Sequence, residues 1–149
     1  MVKNTDDDGP GSLRYVINHA PAGATITFDP AVFNVERTIL LNSNTLTIAQ
    51  DLIIQGPGPN RLIIDGNYYY RPFTINSGVT ATISGLTIQN GRAMGGAIYN
   101  SGVLTLLTLV AADNASIYDG GAIYNNGVLT VTLPKSAESK AKQITVKQD

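Results

Sequence analysis

Eleven carboxylates, ten cationic side chains, one histidine and no cysteine are the whole stock that this 149-residue chain offers for acid–base, nucleophilic or metal chemistry. With one imidazole and no thiolate, a zinc or copper centre lacks its ligands. Carboxylate catalysis needs acidic groups that converge on one reacting atom. Asp29, Asp51, Asp65, Asp113 and Asp119 each stand alone, without a D-x-D or DD pair on a strand-like segment or an arginine at the matching repeat position. Asp6-Asp7-Asp8 is a run, but it lacks the alternate spacing and distal Glu of a calcium loop. It reads as a solvated acidic lead-in to a helix. His19 reads as a surface residue on the polar face of that helix. Gly56-Pro57-Gly58-Pro59 is glycine-rich, yet its prolines remove the amide donors that a phosphate cradle needs, so it reads as a turn. No Ser-His-Asp arrangement can be drawn. The chain is expected to be no enzyme, with no catalytic residue, no metal and no cofactor.

Binding is the chemistry left. In Asn67-Tyr68-Tyr69-Tyr70-Arg71, the side chains of Tyr68, Tyr69, Tyr70 and Arg71 could stack on sugars or grip a protein partner. One or two of these tyrosines could equally pack over a sheet. The pairs Thr25/Thr27, Thr45/Thr47, Thr80/Thr82 and Thr130/Thr132 could form a flat threonine array of the ice-binding kind. In sequence they do not recur at one fixed repeat position, and strand propensity accounts for most of them.

These groups must be positioned by a repeat. The phrase Gly95-Gly96-Ala97-Ile98-Tyr99-Asn100 returns as Gly120-Gly121-Ala122-Ile123-Tyr124-Asn125, and the likeness runs on, ungapped, to Leu106 and Val131 at an offset of 25 residues. A unit of that length cannot bury its own apolar face and must stack on its neighbours. Upstream come short β-branched runs such as Thr25–Phe28, Leu52–Ile54, Leu62–Ile64 and Leu86–Ile88, each followed by Gly, Asn, Asp or Pro. That is the signature of strands and turns. Charged residues make up only 14%, which argues against a helical bundle.

The fold expected is all-β: a right-handed parallel β-helix of about four to six coils. Residues 1–23 form an N-terminal cap, 24–133 the coils and 134–149 a lysine-rich C-terminal cap. Gly95, Gly96, Gly120 and Gly121 are expected at tight corners, with Ile98 and Ile123 pointing inward. Asn100 and Asn125 recur with Asn76 at spacings of 24 and 25, and Asn90 and Asn114 lie 24 apart. Equivalent Asn residues one rung apart, about 4.8 Å, would hydrogen-bond in a ladder. Leu13, Val16, Ile17 and Ala20 share one face of a short helix, with Ser12 as N-cap.

After Leu133-Pro134 the composition changes. Residues 1–130 hold six Lys/Arg against nine Asp/Glu, and 131–149 hold four against two. Lysine and proline blunt an exposed edge, so this end is expected to cover the last coil and keep the chain a monomer. Without it, coils would stack end to end. The abrupt shift also suggests a shortened or engineered end. The net charge of −1 draws the chain to neither nucleic acid nor membrane. The first residues are not expected to be a signal peptide, no run of apolar residues is long enough to cross a bilayer, and the chain as written is expected to be soluble.

Asp8-Gly9-Pro10-Gly11-Ser12-Leu13-Arg14, then Ala24–Asp29, Leu46–Ile48, Leu52–Gly58 and Ile64–Asn67, resemble the cap and first coils of secreted bacterial right-handed β-helix repeat proteins. The two GGAIYN phrases resemble the GGAI-type repeats of polymorphic outer-membrane adhesins and autotransporter-like passengers. The Phe of the adhesin F-x-x-N motif is missing before Asn90 and Asn114. The resemblance spans roughly residues 1–130. It implies a secreted or cell-surface scaffold of structural or adhesive function, with a cell-surface protein or polysaccharide as partner. Since the same scaffold carries many activities, a carbohydrate-active or carbohydrate-binding β-helix is the alternative, and an ice-binding solenoid the weaker one.

Overall fold

The computed structural model describes residues 1–116 and 120–132. Segment 134–149, expected as the C-terminal cap, lies outside the described residues.

Among the described residues one short helix, α1 (Leu13–His19), precedes eleven strands. Every pairing between strands is parallel, so the chain winds as a solenoid with three faces. The first face stacks β1 (Ala24–Ile26), β4 (Leu52–Gln55), the first half of β7 (Thr80–Gln89), the first half of β9 (Val103–Ala112) and β11 (Val128–Thr132). The second face stacks β2 (Arg37–Leu40), β5 (Leu62–Asp65) and the second halves of β7 and β9. The third is a 4-stranded sheet of β3 (Leu46–Ile48), β6 (Phe73–Ile75), β8 (Ile98–Asn100) and β10 (Ile123–Asn125). With one such strand per coil, the described residues complete about four coils.

The core follows from alternation. A strand shows every second side chain to one face, and stacking turns those inward residues into columns. Ile26, Ile54, Ile83, Leu106 and Val131 form one; Leu46, Phe73, Ile98 and Ile123 form another. Each inward Ile or Leu removed from water is worth about 2 kcal/mol. The columns open at the last coil, where Val131 keeps an inward position but is 50% exposed.

The first end is closed. Leu13 and Ile17 of α1 are buried, and the Ser12 hydroxyl accepts from the Tyr15 N–H at 3.1 Å. Gln50 Nε2 donates to the carbonyls of Ile17 and Ala20 at the far end of the helix. Asp7 is not a solvated lead-in. Its Oδ1 lies 2.6 Å from Arg14 Nη2, and its Oδ2 accepts from the Ser43 hydroxyl at 2.5 Å. Arg14 also donates to the carbonyls of Asp7, Asn44 and Thr45, tying the cap to the first coil. Burial alone would raise the Asp7 carboxyl. The Ser43 hydroxyl and the Arg14 guanidinium outweigh it and hold the pKa below the ordinary 3.8.

The duplicated phrase keeps its register, with Ile98 facing Ile123 and Val103 facing Val128. Gly95 and Gly120 both take positive φ, +63° and +73°. A Cβ on Gly96 would lie 2.5 Å from the Gly121 carbonyl oxygen, whereas one on Gly121 would meet nothing within 4 Å, because no described coil lies beyond it. Two expected alignments shift. Asn100 pairs with Ile75 rather than Asn76, because the turn 76–79 is longer than 101–102. Asn90 falls opposite Asp113, one place before Asn114. Asn114 instead accepts from the Gly91 N–H and donates to the Ile88 carbonyl. The threonines, conversely, do align: Thr25, Thr82, Thr105 and Thr130 share one outward column, broken by Ile53. The columns beside it are mixed, with Thr80, Val103 and Val128 on one side and Gln55, Ser84, Leu107 and Thr132 on the other.

Candidate functional site

Three of the five isolated aspartates are spent on the turns. Asp29 Oδ1 accepts from the Ala31 N–H, and Asp51 Oδ1 from the Thr80 N–H. Asp65, at the end of β5, accepts from the Asn67 N–H at 2.7 Å, Gln89 Nε2 at 2.8 Å and Asn90 Nδ2 at 2.9 Å. Asp113 sits in an exposed turn with φ +53°, and Asp119 lies outside the described residues. Among the described residues, no three His, Cys, Asp or Glu side chains lie close enough to hold a metal. His19 stacks on Tyr15, with ring centroids 4.0 Å apart, and its Nδ1 lies 2.8 Å from the Tyr15 carbonyl oxygen. A polar recess of about 360 Å³ between helix and first coil is lined by Arg14, Ser43 and Asn44, but there the guanidinium is committed to the clamp described above.

A different edge gathers exposed aromatic and cationic groups. It is built where the second face hands over to the third, by the stacked loops 66–72 and 90–97. The Asp65 carboxylate anchors the first loop. Gly66 then turns it tightly: its carbonyl accepts from the N–H groups of Tyr69 and Tyr70, at 3.1 and 2.8 Å. The loops are cross-linked by Tyr68 N–H to the Asn90 carbonyl at 2.9 Å and Arg92 N–H to the Tyr70 carbonyl at 3.2 Å. The Tyr70 hydroxyl donates to the Asn42 carbonyl one coil back, at 3.1 Å, and Asn67 Nδ2 donates to Asn42 Oδ1.

Tyr70 is thus a half-buried structural residue, while Tyr68 and Tyr69 stand out at 57% and 79% exposure. Arg71 is half-buried. Its Nε donates to the Met94 carbonyl at 2.9 Å, its Nη1 to Thr74 Oγ1 at 3.1 Å, and its guanidinium lies over the Tyr99 ring, 4.9 Å from the centroid. The other side of Tyr99 carries Tyr124, stacked at 5.1 Å and 13°. Burial pulls the Arg71 pKa below its ordinary value, and Tyr99 pulls it partly back. Arg92 lies 5.9 Å from the centroid of Tyr68.

This edge also concentrates backbone strain. Of six non-glycine residues at positive φ among those described, five lie along it: Asn67, Tyr68, Asn90, Ala93 and Asp113. Asn and Asp tolerate that region; Tyr68 at +59° and Ala93 at +151° do so only where the surroundings enforce it.

Sequence reasoning found the tyrosine loop and missed its companions. Tyr99 and Tyr124 were readable as outward residues, since each sits between two inward positions of a duplicated strand. Arg92 and Met94 carry no local signal; only the stacking of coils brings them beside Tyr68 and Arg71. In comparisons with protein-family models, curated proteins and solved structures, nothing matches this chain.

Proposed function

We propose that the chain is a non-catalytic, adhesin-like scaffold, outside the cell or on its surface, whose loop edge around Tyr68, Tyr69 and Arg71 grips a cell-surface partner. The observation that carries this reading is the presentation of Tyr68 and Tyr69. Two large rings are held out to solvent, one of them on a left-handed backbone. Such a backbone costs about 1–3 kcal/mol and clusters at ligand clamps. Tyr, Arg and Met are the residues enriched in contact surfaces, and Tyr68, Tyr69, Arg71, Arg92 and Met94 lie together here. The commitment of Asp29, Asp51 and Asp65 to turns supports a scaffold over a carbohydrate-active enzyme. On the same reading, the half-open last coil at Val131 self-associates end to end unless segment 134–149 covers it.

The test is saturable binding of the labelled chain to intact cells, before and after surface proteolysis or periodate treatment. The double substitution Tyr68→Gly with Tyr69→Ser removes both rings and relieves the positive φ. It should weaken binding at least tenfold while leaving the melting temperature unchanged or higher. Undiminished binding by that variant would end the proposal, as would depolymerisation of a polysaccharide by the wild-type chain.

A further inference from the structure

We infer that the ligand of this edge is an acidic polysaccharide, whose carboxylate or sulfate groups meet Arg71 and Arg92 while its sugar rings lie against the exposed tyrosines. This rests on the reading of the loop edge as a contact surface. The starting observation is unbalanced charge. Among the described residues the sole ion pair is Arg14 with Asp7, so neither Arg71 nor Arg92 is paired with a carboxylate of those residues. Asp65, the acidic group nearest Arg71 in sequence, is buried at 8% exposure and engaged by three donors.

Both guanidinium groups are held in place without a neutralising carboxylate among the described residues. Arg71 gives Nε and Nη1 to the Met94 carbonyl and Thr74 hydroxyl and rests on Tyr99. Of the five N–H groups that a guanidinium carries, the second on Nη1 and both on Nη2 remain. Arg92 is exposed beside Tyr68, and its N–H bond to the Tyr70 carbonyl keeps it next to Arg71 in the cross-linked loops. A half-buried cation has lost part of its hydration and gains most from an anion. The planar fork of arginine fits carboxylate and sulfate oxygens two at a time.

The remaining chemistry selects among anions. An extended acidic peptide would dock on an open strand edge, but the strands flanking these loops have none: β6 pairs with β3 and β8, and β8 with β6 and β10. Beside its two cations the loops offer the ring surface of Tyr68 and Tyr69 and the amide of Asn67, with the exposed Asp113 carboxylate in the next coil's loop. Ring faces and amides take the C–H faces and hydroxyls of sugars.

Affinity of the full-length chain should be measured for a polyuronate, a sulfated glycan, a neutral glucan and polyglutamate, at low and moderate salt. Binding to the polyuronate or the sulfated glycan is expected, at least tenfold tighter than to the neutral glucan, and weakening as salt rises. Arg92→Gln should cost at least fivefold with an unchanged melting temperature. Arg71→Lys, which keeps the charge and loses the fork, should also weaken binding. The polyuronate and sulfated arms identify which anion is read. Failure to bind either acidic glycan, equal affinity for the neutral glucan, or equal affinity for polyglutamate would each overturn the inference. If the arginine variants bind cells as the wild type does while the tyrosine variant does not, the contact edge stands and its acidic ligand falls.

Discussion

Replacing Asn100 by alanine should cost far more than the same change at Asn125, although the two occupy one position in the duplicated phrase. Asn100 is fully buried. Its Oδ1 accepts from the Gly102 N–H at 3.1 Å, and its Nδ2 donates to Asn125 Oδ1 at 2.7 Å, the Val128 carbonyl at 3.0 Å and the Gly102 carbonyl at 3.2 Å. Truncation leaves the buried Gly102 N–H without its acceptor, at about 1–3 kcal/mol, and removes the two amide N–H donors that the three acceptors share, so roughly 3 kcal/mol is expected. Asn125 is exposed; its Nδ2 donates to the Gly127 carbonyl at 2.9 Å, and its Oδ1 accepts from Asn100 Nδ2, which keeps the Val128 and Gly102 carbonyls when Asn125 is truncated. Water replaces what it loses, for about 1 kcal/mol. Asn100→Ile should also destabilise: Ile75 fills this column one coil earlier, but there the turn is longer and the Val79 N–H has the Asn76 carbonyl. Urea unfolding with hydrogen exchange on the 98–104 amides reads both changes. A difference below about 0.5 kcal/mol between the two alanine variants would refute the assignment of this side chain as the clasp of the turn.

The corner inside the long strands gives an opposed pair of substitutions. Gly85, at φ +64°, is followed one coil later by Thr108 at +47°. Thr108→Gly should therefore stabilise by about 1 kcal/mol, and Gly85→Ala should destabilise, its Cβ falling 2.5 Å from the Gly56 carbonyl oxygen. Thermal melts with the same sign for both would contradict this. At the cap, the Asp7 carboxyl has a folded-state pKa below its unfolded value of 3.8. Its contribution is complete above that value and lost as pH falls through the folded one. Asp7→Asn should lower stability at pH 7 and flatten the loss of stability below pH ~4. An acid limb as steep as that of the wild type would remove Asp7 from the account.

How far the sequence can be read depends on where turn length varies. From Ile98 onward the coils are related by a constant offset of 25 on the third face, and there the strands, the inward isoleucines and the ladder from Asn100 to Asn125 were all legible. Earlier coils differ in the length of their turns, and each difference moves a side chain by one rung position without disturbing the alternation that fills the core. Asn76 slipped out of the ladder for that reason, and Thr25, Thr82, Thr105 and Thr130 came into line for the same reason. The Asp7–Arg14 clamp was hidden differently. Both residues belong to the cap, but their meeting needs Ser43 and the carbonyls of Asn44 and Thr45 from the first coil.

The same freedom explains why the aromatic loop edge lies where it does. Between the first and second faces the connection shrinks from 27–36 to 56–61, and then vanishes into the continuous strands β7 and β9. Between the second and third faces it grows instead, from 41–45 to 66–72 to 90–97. A connection that shortens into a strand spends its backbone on ladder bonds and presents only alternating side chains. One that lengthens must satisfy its polar groups locally, through Asp65, Asn42 and the cross-links between loops, and can then hold residues such as Tyr68 out of any regular register. The columns of Ile and Leu set the rigid frame on which that edge can be varied, so substitutions in the loops should alter binding with little effect on stability, and substitutions in the columns should do the reverse.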